Sequence, residues 1–412
     1  MGKSIAVVEA DRVGGSCVNY GCTPTKTLVA SARVAHMAHR GEEFGIRLTG
    51  QETNFPRVHE RVNAMRDPAT KGFQQWLEQA TDFYPGWASF VDDHTVAIGE
   101  TSIYGEQILI HTGTRARVPN FPGIDTVPWL DNKGVLDLEE VPEHLVVIGG
   151  SYIGLEFAQA FRRLGSRVTV LQRAGRLITR EDPDVSEIAR DVLSGEGVEV
   201  LVNTDIQALE RSGSGSGVRV KYAQQGKGGV VEGSHLLIGI GRVPNSDMLN
   251  LPAAGVDTDK RGFIPVDDYG RTSVPHIFAL GDVNGRGAFT HTSVHDGQVY
   301  MDLLKGAASA RKISDRTPIH SMFIDPPLAR VGMSEAEARE SGKNVLVATR
   351  PMSRINRARE KDETDGIVKV FVDADTKHIL GATIFGVGGD EIIGMLALAM
   401  QAGLPYTMLQ DT

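Results

Sequence analysis

Cysteine is nearly absent from this chain of 412 residues: only Cys17 and Cys22 occur, and no third thiol exists to complete a zinc site with them. No stretch approaches the ~20 apolar residues that a membrane span needs, and the N-terminus has no basic region followed by an apolar run and a cleavage site. The chain therefore reads as soluble and cytoplasmic, with no membrane partner. Ala6 stands where a myristoylation signal after Met1-Gly2 requires Ser or Thr. Excess positive charge is missing too. The formal charge is -9, the pI is near 5.8 and the arginines are spread along the chain, which excludes a general surface for nucleic acid. What is present, 41% hydrophobic and 23% charged residues, matches globular proteins and excludes disordered or collagen-like classes. The length suits two or three domains. In a reducing cytoplasm, two thiols five positions apart favour a reactive pair over a structural disulfide.

Around Gly149 the sequence describes a βαβ unit. His144 to Ile148 is a continuous apolar run, Gly149-Gly150-Ser151-Tyr152-Ile153-Gly154 is a glycine turn, Leu155 to Leu164 has helical apolar spacing, and Arg167 to Leu171 is a second apolar run. In that context a glycine fingerprint points to a dinucleotide, although Ser151 replaces the middle glycine. The bland alternative is a packing turn. Gly2 to Glu9 matches Gly165 to Gln172 in pattern, so the opening residues read as the second strand of another such unit, whose first strand and glycine loop would precede Met1. Phe55 to Gln79 has helical spacing, and Phe90 to His111 reads as short strands with turns. Alternation runs from Val198 to Ile240, broken at a flexible hairpin tip, Ser212 to Gly217. Phe278 to Asp282 is a strand ending in a Gly-Asp turn, with a helix from Thr290 to Leu304 after it. From Thr317 the texture changes to α+β, with strands at Ile367 to Val372 and Ile379 to Phe385, a helix from Asp390 to Gly403, and a last helix cut short at Thr412.

The most specific segment is Gly14-Gly15-Ser16-Cys17-Val18-Asn19-Tyr20-Gly21-Cys22-Thr23-Pro24-Thr25-Lys26. Pro24 suits the first turn of a helix that continues through Ala38, which places Cys22 at a helix N-terminus, where the dipole and free N–H groups stabilise a thiolate. A small structural disulfide or half a zinc site are the alternatives.

This Gly-Gly-x-Cys-x4-Cys-x-Pro-x-Lys segment resembles the redox segment of the pyridine nucleotide-disulfide oxidoreductases, which include glutathione reductase, dihydrolipoamide dehydrogenase and mercuric reductase. The resemblance covers essentially the whole chain, because Gly239-Ile-Gly241-Arg-Val-Pro-Asn245, the Gly281-Asp282 turn and the C-terminal domain follow in the family's order. Gly150 to Gln159 and Phe323 to Met333 look most like the mercuric reductase-like and reactive-chlorine-resistance flavoprotein reductases. The implied fold is α/β: two Rossmann-like nucleotide-binding domains, one for FAD and one for NAD(P)H, plus a C-terminal α+β dimerisation domain. The expected boundaries are 1–123 with 245–316 for FAD, 124–244 for NAD(P)H and 317–412 for dimerisation.

The resemblance implies a role for each matching residue. Cys17 would be the exchanging thiol and Cys22 the thiol beside the flavin, with Lys26 and Glu156 as an ion pair near it; ordinary helix-surface charges are the alternative for that pair. Glu9 would hold the FAD ribose, a role that also follows from its place at a strand end. Gly14, Gly15 and Ser16 would line the FAD, Thr112-Gly113-Thr114 would close on it, Asp282 would bond its ribityl chain, and the backbone at Phe289 and Thr290 would face its pyrimidine end. Gly149, Ser151, Gly154 and Gly241 would form the NAD(P)H site, with Tyr152 as an aromatic gate. Gln172 stands where an acid would bind NAD ribose hydroxyls, and Arg173 can meet a 2′-phosphate, so NADPH is favoured and NADH remains open.

The implied activity is NAD(P)H-driven, FAD-dependent reduction through the Cys17–Cys22 disulfide of a small-molecule disulfide, metal ion or oxidant, by a homodimer. The alternatives are a dihydrolipoamide dehydrogenase, against which Gln172 counts, or a shortened chain that binds nucleotide and dimerises without turnover. Two family features find no match. No His-Pro-Thr segment supplies a base, since none of His291, His295 and His320 precedes proline, and no second cysteine pair exists to receive mercury.

Overall fold

The computed structural model describes residues 2–213, 217–307 and 310–411. The tip of the Ser212 to Gly217 hairpin and Thr412 lie outside these residues in part or whole. Contacts gather the chain into two units, and the division falls inside two helices, Cys22–His39 and Phe55–Ala80.

The first unit comprises Met1–Pro24, Asn63–Arg117 and Gly241–Arg316. The opening strand Ala6–Glu9 pairs in parallel with Asp82–Pro85, and Ile108–Ile110 pairs in parallel with Ile277–Ala279. Between them in sequence lies an antiparallel meander of Ala88–Phe90, Thr95–Ile98 and Thr101–Tyr104. Ile110, Ile264, Ile277 and Val283 close a small aliphatic core. Thr114–Ala116 pairs antiparallel with Arg242–Pro244, so the Thr112 loop and the Gly241 segment are fixed to each other.

The second unit comprises Thr25–Val62, Val118–Ile240 and Thr317–Thr412. Its parallel sheet has the order Glu199–Val202, Arg167–Gln172, His144–Ile148, His235–Ile238. His144–Ile148 is buried along its whole length, which is why it reads as an unbroken apolar run: a central parallel strand is covered on both faces. The helix Tyr152–Leu164 is likewise buried nearly all round, with Leu155, Phe157, Ala158 and Phe161 in the core. The antiparallel sheet of Thr204–Arg211, Val218–Gln224 and Lys227–Gly233 carries the hairpin read from the sequence.

The C-terminal region forms a five-stranded antiparallel sheet in the order Ile319–Met322, Leu328–Gly332, Ile379–Phe385, Ile367–Asp373, Val345–Pro351. Three of these strands were not foreseen. The Ile319 strand begins after Pro318 and the Leu328 strand after Pro327, and Val345–Pro351 is solvent-facing on most of its residues, so none shows a long alternation. Helix Gly389–Gln401 packs Ile393, Leu396 and Ala399 onto this sheet while exposing Ile392, Met395 and Leu398. A further helix, Tyr406–Gln410, follows it.

Candidate active site

In the first unit, Cys17 lies in the short helix Gly15–Tyr20 and Cys22 opens the helix Cys22–His39. Two glycines with positive φ, Gly14 at 104° and Gly15 at 65°, turn the chain into the first helix. Asn19, between the thiols, is fully buried. Its amide donates to the carbonyls of Arg12, Val13 and Gly15, and its oxygen accepts from Thr70 at 2.6 Å. These bonds lock the redox helix to the preceding loop.

The two thiols are not joined in a disulfide; Cys17 is half-buried and Cys22 exposed. The Cys17 thiol is pushed well above its ordinary range, first by its hydrogen bond with Cys22 and then by burial, while the Thr290 hydroxyl pulls the other way. The Thr290 hydroxyl also lies 3.6 Å from Cys22 Sγ. The reduced pair is therefore asymmetric. Cys17 holds its proton the more tightly, while Cys22 opens a helix of 18 residues, whose N-terminal dipole favours an anion there.

Thr112, Gly113, Thr114, Asp282, Phe289 and Thr290 also lie in this unit. Thr114 donates its hydroxyl to Asp282 at 2.8 Å, and Arg242 donates to the Thr114 hydroxyl at 2.7 Å. Thr112 and Asn245 exchange hydrogen bonds. Sequence reasoning missed the residue beneath Asp282: Asp296, 2% exposed, accepts from Gly281 N–H and the Asn284 amide and pairs with Arg316 at 2.8 Å. Its only sequence signal was an acid in the middle of a helix. Glu9 ends its strand with its carboxylate turned to the Asp11 N–H at 2.9 Å. These residues fit a flavin nucleotide. Gly281, at φ 69°, passes so close to His111 and Ser293 that a Cβ would come within 2.9 Å of each, and helix Thr290–Leu304 begins with no acidic side chain in its first turn.

The second unit holds Gly149, Ser151, Tyr152, Gly154, Gln172 and Arg173, with Lys26 and Glu156; Gly241, at φ 113°, stands in the first unit. The glycine turn is tight. A Cβ on Gly154 would lie 2.2 Å from the Gly149 carbonyl, and one on Gly149 would lie 2.3 Å from the Gly239 carbonyl. Ser151 is exposed and makes no side-chain cap, so the first N–H groups of helix Tyr152–Leu164 are left for a ligand. This arrangement fits a dinucleotide pyrophosphate. Gln172 accepts from Gly150 N–H at 3.1 Å and donates to the Arg176 carbonyl at 3.2 Å, so its amide braces the turn, while Arg173 is exposed. Lys26 and Glu156 meet at 2.7 Å, Glu156 also accepts from Phe323 N–H at 2.8 Å, and the ammonium lies 4.5 Å above the Phe323 ring.

Residues 1–297 match the pyridine nucleotide-disulphide oxidoreductase family, and residues 319–412 match that family's dimerisation domain. The chain belongs to the pyridine nucleotide-disulphide oxidoreductases. It is 36% identical over 423 residues to the probable pyridine nucleotide-disulfide oxidoreductase RclA of Escherichia coli, covering all of this chain and 90% of the relative. To a mercuric reductase of Staphylococcus aureus it is 33% identical, covering all of this chain and 75% of that one. The solved HOCl-induced flavoprotein disulfide reductase RclA from Escherichia coli superimposes with a TM-score of 0.88 at 35% identity, over all of this chain and 91% of that one. As a member of the pyridine nucleotide-disulphide oxidoreductases, the chain is a flavoprotein enzyme that uses FAD and NAD(P)H, with two Rossmann-like nucleotide-binding domains and a C-terminal dimerisation domain. Among the described residues, no helix is long and apolar enough to cross a membrane.

Proposed function

We propose that this oxidoreductase draws on NADPH to reduce the Cys17–Cys22 disulfide, and that Cys17 then passes the electrons to a small-molecule disulfide, metal ion or oxidant. The observation that carries this reading is the asymmetric thiol pair, with Cys17 protonated and Cys22 at a helix N-terminus beside Thr290. Bound FAD supplies the two-electron relay between nicotinamide and disulfide. The chain's own residues do the rest. Two electrons and one proton convert the disulfide to a Cys17 thiol and a Cys22 thiolate; Cys17 must shed its proton before it attacks an acceptor.

Glu9, Gly14, Gly15, Ser16, Thr112, Gly113, Thr114, Asp282, Phe289 and Thr290 are proposed to hold FAD. Gly149, Ser151, Tyr152, Gly154, Gln172, Arg173 and Gly241 are proposed to hold NADPH, and the domain boundaries are taken at 123/124, 244/245 and 316/317. NADPH is preferred because the strand Arg167–Gln172 ends in an amide already bonded to the turn, where ribose hydroxyls would want a carboxylate, and Arg173 next to it can face a phosphate. Pairing of two copies through the C-terminal domain is supported by the exposed row Ile392, Met395 and Leu398.

The test is an anaerobic titration of the FAD-loaded protein with NADPH, followed by counting titratable thiols. Two new thiols and a long-wavelength thiolate-to-flavin band are expected, both lost in Cys22→Ser. Flavin bleaching with no change in thiol count would overturn the assignment.

A further inference from the structure

Tyr152, the first residue of the helix that follows the glycine turn, is tied by its hydroxyl. It donates to Glu181 Oε1 at 2.5 Å. Glu181 is 3% exposed, an unusual place for a carboxylate that takes no part in the steps above. Its other neighbours come from the C-terminal sheet: His320 Nε2 lies 3.2 Å from Oε1, and Arg330 Nε lies 3.2 Å from Oε2. Burial raises the carboxyl of Glu181, but the hydrogen bonds with His320 and Tyr152 and the charge of Arg330 outweigh it and hold it ionised, below the usual range. Burial and the Glu181 charge in turn keep the Tyr152 hydroxyl protonated, so it is a donor.

The chain on either side of Glu181 is clamped as well. Lys369, 2% exposed at its side chain, meets Asp182 at 3.0 Å, Asp184 at 2.9 Å and Glu335 at 2.8 Å. Arg176 donates to the Glu181 carbonyl at 2.8 Å. Glu181 is thus a fixed acceptor whose position is set by the C-terminal sheet and which holds the hydroxyl of Tyr152 at the end of the nucleotide turn.

We propose that Glu181 is a positioning residue: it tethers the Tyr152 ring beside the glycine turn, and the ring must break this tether when the nicotinamide half of the nucleotide binds. The proposal rests on the reading of Gly149 to Gly154 as the NADPH site. A charge-assisted hydrogen bond opposing ring movement weakens binding of the nicotinamide end by about tenfold and leaves the adenosine end untouched.

The test uses the FAD-loaded enzyme as wild type, Glu181→Gln and Tyr152→Phe. The KM for NADPH is measured together with the inhibition constant of ADP-ribose 2′-phosphate, the same nucleotide without nicotinamide; NADH and ADP-ribose are run alongside. Both variants are expected to lower the KM for reduced nucleotide about tenfold, to leave the inhibition constant unchanged, and to give no further gain when combined. Tyr152→Phe removes only one hydroxyl, so it answers the question even where Glu181→Gln leaves Arg330 with only the exposed Glu337 as a carboxylate partner and fails to fold. An unchanged or raised KM in Tyr152→Phe, or a parallel shift of both constants, overturns the tether. Failure of both nicotinamide-free fragments to compete in wild type would instead overturn the nucleotide-site reading.

Discussion

Lys26 and Glu156 stand 130 positions apart in sequence and share an ion pair of 2.7 Å. The carboxylate is 6% exposed and the lysine 33%, so water screens the pair from one side only. Glu156 has a second duty, since its other oxygen accepts the Phe323 N–H. Glu156→Leu strips both partners and is expected to cost about 2–4 kcal/mol in urea unfolding, discounted for the lysine's exposure. Glu156→Gln still accepts from Phe323 and should cost about 1 kcal/mol. Equal stability of the two variants would mean that the Phe323 bond contributes nothing.

The proton on Cys17 depends chiefly on Cys22. Replacing Cys22 by serine removes the thiol partner whose hydrogen bond chiefly raises Cys17, so the Cys17 thiol is expected to titrate at lower pH than in wild type. Alkylation rate against pH, followed at Cys17 by peptide mass, reads this directly. A Cys17 profile unmoved by Cys22→Ser would show that burial alone raises it.

Gly154 has no room for a methyl group, because the Gly149 carbonyl would lie 2.2 Å from it. Gly154→Ala should push the helix Tyr152–Leu164 off the turn, weakening NADPH binding at least tenfold and costing about 1–3 kcal/mol. Fluorescence titration with NADPH and a melting curve check the two effects. Wild-type affinity in this variant would remove the turn from the binding site.

Acid should weaken the Lys369 cluster. The bond with Lys369 is the main cause holding Glu335 below its ordinary value, whereas burial opposes it. A carboxyl depressed on folding contributes stability above its unfolded pKa of about 4.3, and this is lost as pH falls through the lowered folded value. Lys369→Met is expected to cost about 3 kcal/mol at pH 7, because it leaves Asp182 and Asp184 without their cation, while Glu335 keeps Arg339. The gap between wild type and variant should narrow as pH drops below about 4.5. A gap that widens in acid would contradict the assignment.

Local chemistry made the main elements readable. The run His144 to Ile148, the helix Thr290 to Leu304 and the thiol segment each carry their signal within a few residues: an apolar run, a 3.6-residue period, or glycines where φ is positive. Asn19 was in view in the redox segment, but its burial and four hydrogen bonds depend on Arg12, Val13, Gly15 and Thr70. The positions of Asp296 and Glu181 were too weak a local signal to single them out, because an acid on a helix or in a loop is usually a solvated one. Short strands such as Ile319–Met322 escaped for a related reason: four residues hold too little alternation to separate from a loop.

By itself the sequence determined which groups can react and which backbone turns are possible, since thiol chemistry, glycine φ and hydrophobic period belong to the residues themselves. Only the tertiary structure decided which charges are out of water and what they face. That is why Gln172 braces the turn and why a carboxylate at Glu181 lies against the hydroxyl of Tyr152: burial and partner distance, which set the energy of a charge, come from segments far apart in the chain.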